Sequence, residues 1–169
     1  MEERVVVAGA GWGSVQAVAT WSRPSVGEMD RWELEAKEAI RELLASYAHA
    51  VDRGRFVEMA ELFAPDGVLE LEDRAPLAGR DAIATMLGGV KGQLAATGDG
   101  AFIRHHVSSV SIELVSPDQA RAWSYFLAIT HRGPDHWGRY RDDLTFDDQS
   151  WRFRRRRVSV DGRSAVAAL

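Results

Sequence analysis

Between Asp30 and Asp52 the apolar residues Ile40, Leu43, Leu44, Tyr47, Ala48 and Val51 recur at helical spacing, which predicts one helix with a single core-facing stripe. Gly54 follows as a natural C-terminal cap. A second short helix carries Phe56, Met59, Ala60, Leu62 and Phe63, and Pro65-Asp66-Gly67 predicts a turn after it. Val68–Leu71 reads as a strand, and Asp81 opens a third short helix with Ile83, Met86 and Leu87 inside. Five glycines between Gly88 and Gly100 predict a mobile loop, of a kind that can act as a lid.

Beyond that loop the period becomes strand-like. Ala101–Val115, Ala120–Arg132, Trp137–Phe146 and Trp151–Val160 read as four long strands. Ser116-Pro117-Asp118-Gln119, Gly133-Pro134-Asp135 and Asp147-Asp148-Gln149-Ser150 are turn-formers, so the strands should meander antiparallel. Helices first and a curved antiparallel sheet after them define an α+β domain with the helices on one face of the sheet.

The first long strand changes phase. Ile103, His105 and Val107 share one face, but the later apolar set is Val110, Ile112 and Leu114, which predicts a bulge or bend at Ser108-Ser109. His105 thus joins the apolar face, and His106 lies outward with Arg104. The same test puts Tyr140 and Asp142 with Leu144 and Phe146, and Arg139 and Arg141 opposite.

The chain has 169 residues, enough for one domain with a real core. A net charge of −4 gives no global attraction to nucleic acid or to an anionic membrane, and neither is expected as a partner. The absence of cysteine excludes disulfides, thiolate metal sites and a cysteine nucleophile. No apolar run is long enough to span a bilayer, and the first residues lack the order of a secretory signal, so a cytoplasmic location is expected. Residues 5–14, VVVAGAGWGS, imitate a dinucleotide-binding turn. Ser14 stands where the third glycine belongs, however, and Ser22-Arg23-Pro24-Ser25 interrupts before a second strand could pair. Residues 1–28 are read as a flexible extension, 30–160 as the domain and 161–169 as a C-terminal tail.

The ordered series AVDRGRFVEMAELFAPDGVLEL, LAGRDAI, IRHHVSS, WGRYRDDLTF and WRFRRRRV resembles the SnoaL-like branch of the nuclear transport factor 2-like superfamily. The resemblance covers about residues 30–160 and implies a cone-shaped α+β roll, cystatin-like, enclosing one deep pocket. The pattern is most similar to a group with a catalytic aspartate–histidine pair that includes scytalone dehydratase, bile acid 7α-dehydratase and hexachlorocyclohexane dehydrochlorinase. By that resemblance Asp52, at the end of the first helix, and His105 are the pair, Tyr47 is its assistant and Arg156 is the arginine of the last strand. Leu71 stands where ketosteroid isomerases carry their base, so that mechanism is not supported, and Leu71 and Thr130 replace a tyrosine and a second histidine of scytalone dehydratase, so its substrate is not implied. A homodimer or homotrimer is a further implication of the family, as is work without cofactor or metal.

The chemistry follows from residue types. Asp52 lies in the last helical turn, where the helix dipole disfavours an anion, so it needs a partner. His105 beside it would have its tautomer fixed and could remove a carbon-bound proton, while Tyr47 would polarise an oxygen of a small, largely apolar or polycyclic substrate. Dehydration is the outcome the resemblance implies, with isomerisation and polyketide cyclase-like chemistry as relatives. A non-catalytic ligand-binding protein or accessory subunit is the alternative. Tyr140, Asp142, Trp123, Tyr125 and Arg156 are expected to contact substrate, with Phe126 and Phe102 lining the pocket or filling the core. Asp142 is equally suited to a salt bridge with Arg156 or its neighbours, and the arginines at 152 and 154–157 should pair with acids. His49, His131 and His136 show no ligand spacing, so no metal site follows.

Overall fold

The stripe between Asp30 and Asp52 forms α1, Arg31–Asp52, in a computed structural model that describes residues 30–72, 74–86 and 102–165. Glu33 accepts the Asp30 N–H at 3.2 Å and steadies the helix start. Gly54, at φ 65°, ends the helix, and its N–H reaches the Val51 carbonyl at 2.9 Å. A short α2, Phe56–Glu61, buries Met59 and Ala60, while Leu62 caps it and Phe63 passes into the sheet.

The strands are β1 Phe63–Leu71, β2 Leu77–Ala78, β3 Ile103–Ser116, β4 Gln119–Thr130, β5 Gly133–Asp147 and β6 Ser150–Arg163. A helical segment over residues 80–86 buries Ile83. The sheet order is β2-β1-β6-β5-β4-β3, with β1 parallel to β6 and the other pairs antiparallel. The turn expected at Pro65-Asp66-Gly67 is instead an irregularity inside β1, where the register against β6 slips between Phe63 and Val68. The extension at 1–28, the glycine-rich loop at 88–100 and Leu87 lie outside the described residues. The last strand continues past Val160 to Arg163, which pairs with His136. No helix among the described residues is long and apolar enough to cross a membrane.

Three bulges decide which side chains face α1. In β3 the pairing slips between Ser108 and Ser111, with Ser109 at φ 52°, as the phase change at these serines predicts. In β5, Pro134 pairs with Ile129 and His136 with Ala128, so Asp135 is the extra residue. The turn expected at Gly133-Pro134-Asp135 is thereby displaced to His131-Arg132. In β6, Phe153 pairs with Leu144 and Arg155 with Asp143, so Arg154 is extra. That last bulge moves the buried phase from Trp151 and Phe153 to Arg156, which a regular strand would have turned to the other face.

The core joins Ile40, Leu43, Leu44 and Tyr47 of α1 to Met59, Phe63, Leu69, Ile83, Leu144, Trp151 and Phe153, across the small Ala120 and Ala122 of β4. Sheet strands also meet closely at Gly138, where an added Cβ would run into the Ser159 carbonyl. Because backbone must shift to make room, Gly138→Ala is expected to cost about 1–3 kcal/mol of stability, read as a lower urea midpoint at an unchanged slope. A wild-type midpoint would contradict that contact.

Candidate active site

Asp52, the last residue of α1, reaches the free side of β3, which among the described residues is an edge strand paired with β4. The His105 backbone N–H donates to both Asp52 carboxylate oxygens at 3.1 Å, and the His105 ring Nδ1 lies 2.7 Å from Oδ1. Both side chains are nearly buried, at 8% and 10% exposure. Hydrogen bonds to a charged group are worth about 1.5–3 kcal/mol each, against a helix-dipole penalty of about 0.3–1 kcal/mol, so the carboxylate is held where the helix alone would not keep it. With Nδ1–H facing the carboxylate, Nε2 of the neutral ring is the proton acceptor.

A second imidazole stands beside the first. His136 of β5 lies edge to face with His105, ring centres 6.1 Å apart, and its Nδ1 is 2.7 Å from Oδ2 of Asp135. The bulge at Asp135 turns two successive side chains inward, so the Asp135 side chain is fully buried and that of His136 only 16% exposed. Burial lowers the His136 pKa, opposed by the hydrogen bond to Asp135. Phe126 of β4 packs against both imidazoles, at 6.2 Å and 5.6 Å.

Deeper in, Arg156 and Asp142 form a two-pronged ion pair, Nε to Oδ1 and Nη2 to Oδ2, both at 2.8 Å. The guanidinium lies over the rings of Tyr47, Tyr140 and Phe153 at 4.1, 4.3 and 4.1 Å. Tyr140 stacks on Phe126 at 4.6 Å, which links this layer to the histidines. Burial pushes the Tyr47 and Tyr140 hydroxyls up, so both are neutral donors. Burial also raises the Asp142 carboxyl against the pull of Arg156, while Asp142 keeps the guanidinium charged despite its burial. Among buried side-chain polar atoms, Arg156 Nη1 and Ser124 Oγ make no hydrogen bond within the described residues.

The structure therefore gathers Tyr47, Asp52, His105, Tyr140, Asp142 and Arg156 on one side of the sheet. Trp123 and Tyr125 are corrected: they are 38% and 56% exposed on the other face of β4, because Ala120, Ala122, Ser124 and Phe126 take the inward positions. Phe102 is likewise exposed, with Arg104 over its ring. His106 is exposed as its face predicts. Arg155 and Arg157 both bind Glu70, and Arg152 donates to the Glu61 carbonyl. Asp135 and His136 were the residues that sequence reasoning missed, since Pro134 marked their segment as a turn; an Asp-His dipeptide opening an otherwise alternating strand was the available signal. Among the described residues no three acids or histidines are grouped for a metal ion.

A curved sheet with helices packed on it defines a cystatin-like α+β fold, and here a histidine–carboxylate contact joins the first helix to the sheet edge. The chain belongs to the SnoaL-like domain family, whose model matches residues 32–157. A Novosphingobium aromaticivorans DSM 12444 protein provisionally named scytalone dehydratase is 26% identical, with a TM-score of 0.69 over 79% of this chain and 89% of that one. A nuclear transport factor 2-like protein with a cystatin-like fold from the same species is also 26% identical, with a TM-score of 0.67 over 83% and 96%. LinA, 18% identical with a TM-score of 0.68 over 80% and 93%, shares the fold. No protein of curated function matches the chain.

Removing one member of a buried ion pair strands the other charge. Arg156→Leu is thus expected to cost about 3–5 kcal/mol in urea unfolding, much of it recovered when Asp142→Leu is added. Equal losses in the single and double variants would contradict that account.

Proposed function

We propose that this chain is a cofactor-independent lyase or isomerase of the dehydratase type, acting on a small, uncharged, largely apolar molecule, polycyclic ones included. The observation that carries the reading is the 2.7 Å contact between Asp52 and the His105 ring, on the inner side of the sheet. His105 in its neutral form removes a proton from carbon, and Asp52 orients the ring and stabilises the imidazolium. The imidazolium then returns the proton to the departing oxygen. Tyr47 and Tyr140, kept neutral by burial, and Arg156 supply positive hydrogen atoms toward charge developing on a carbonyl oxygen.

An uncharged substrate is favoured because the Arg156 charge is already matched by Asp142, while Asp52 and Asp135 are each engaged by a hydrogen bond to an imidazole, His105 and His136. The structural relative provisionally named a scytalone dehydratase supports dehydration among the outcomes. Turnover of cyclic β-hydroxyketones, followed by absorbance of the conjugated product, tests the reading. His105→Ala and Asp52→Asn should each lose most of the rate, on the order of a hundredfold or more for the histidine. Full turnover in both variants would refute it.

A further inference from the structure

Asp135 and His136 take no part in the scheme above, yet they repeat its geometry. We propose that His136 is a second acid–base group of the same site, forming with His105 a pair of imidazoles that holds one proton between them. The proposal rests on the reading that Asp52 and His105 are acid–base machinery, and it divides between two rings the two proton transfers which that reading gives to one.

Each ring commits Nδ1 to a carboxylate at 2.7 Å, His105 to Asp52 and His136 to Asp135. In each case Nε2 is left as the nitrogen that exchanges a proton with a bound molecule. With ring centres 6.1 Å apart, a charge on one imidazole disfavours a charge on the other. The charged groups around His136 are Asp135 on its own strand, His105 on β3 with Asp52 behind it, and Arg163 opposite on β6; β4 contributes Phe126. Burial is the largest influence and keeps His136 neutral at pH 7, with Asp135 opposing and the charges of His105 and Arg163 assisting. His136 is then the ring ready to accept a proton, and His105, hydrogen-bonded to Asp52, is the ring assigned to give one.

For a β-hydroxyketone the balance is complete. The α-carbon–hydrogen bond breaks and its proton goes to Nε2 of His136 while the carbon–carbon double bond forms. The β-carbon–oxygen bond breaks as His105 gives its Nε2 proton to the oxygen, which leaves as water. The pair starts and ends with one added proton, moved from one ring to the other, and exchange with solvent resets it.

The test follows both rings by long-range 1H–15N spectra across pH in full-length protein, alongside α-proton exchange of 2-tetralone in heavy water. His136→Gln should raise the His105 midpoint, and His105→Gln the His136 midpoint, by about half a pH unit, as expected when a unit charge some 6 Å away is removed in a water-like dielectric. His136→Gln should also slow exchange on the order of a hundredfold. Asp135→Asn, which keeps the ring but removes its counter-charge, should lower the His136 midpoint, and it carries the test if His136→Gln does not fold. The exposed His106→Gln should change nothing. Unmoved midpoints, or wild-type exchange in a folded His136→Gln protein, overturn the proposal. Loss of water from a cyclic β-hydroxyketone that depends on His136 but not on His105 would instead overturn the Asp52–His105 reading, and neither exchange nor water loss by the wild-type protein would overturn both.

Discussion

The rest of the site depends on one carboxylate, Asp52, that closes a helix and a sheet edge at once. An edge strand presents unpaired N–H groups, and the His105 N–H on the free side of β3 is taken up by both oxygens of Asp52. The same carboxylate then meets the His105 ring. The end of α1 is thereby fixed against the sheet, and the imidazole is fixed against the end of α1. Structural and chemical demands fall on the same atoms, so position and tautomer of the histidine are set together.

Bulges place the remaining polar groups of the candidate site. A sheet with unbroken alternation would have sent Arg156 outward, away from Asp142, and would not have turned Asp135 and His136 inward together. One extra residue at Arg154 and one at Asp135 re-aim these side chains toward α1. The buried Arg156 is then neutralised by Asp142 and covered by Tyr47, Tyr140 and Phe153, which makes a firm aromatic floor beneath the histidines. A buried ion pair of this kind is weak evidence for stability, since its desolvation offsets much of its attraction. Its contribution is placement, because Tyr140 is held between Arg156 and Phe126, and Phe126 touches both imidazoles.

Much of this was legible in the sequence. The α1 stripe, the order of helices and strands, the serine bulge in β3 and the inward choice of His105 over His106 all follow from periodicity, because burial on one face leaves a period in the chain. The Asp52–His105 pairing needed the family resemblance, since the two lie 53 residues apart and no local pattern links them. Trp123 and Tyr125 misled because the small residues Ala120, Ala122 and Ser124 take the inward positions along that stretch of β4, and its large residues there mark the outer face instead. The β5 and β6 bulges were hidden for different reasons. Pro134 looked like a turn, and a run of arginines offers no contrast between faces from which a slip could be read.

The tautomer of neutral His105 is the most direct measure of the central claim, read from long-range 1H–15N spectra of the wild-type protein. The account predicts a ring protonated at Nδ1, toward Asp52, a state that Asp52→Asn disturbs. A neutral His105 protonated at Nε2, unaffected by that substitution, would contradict it.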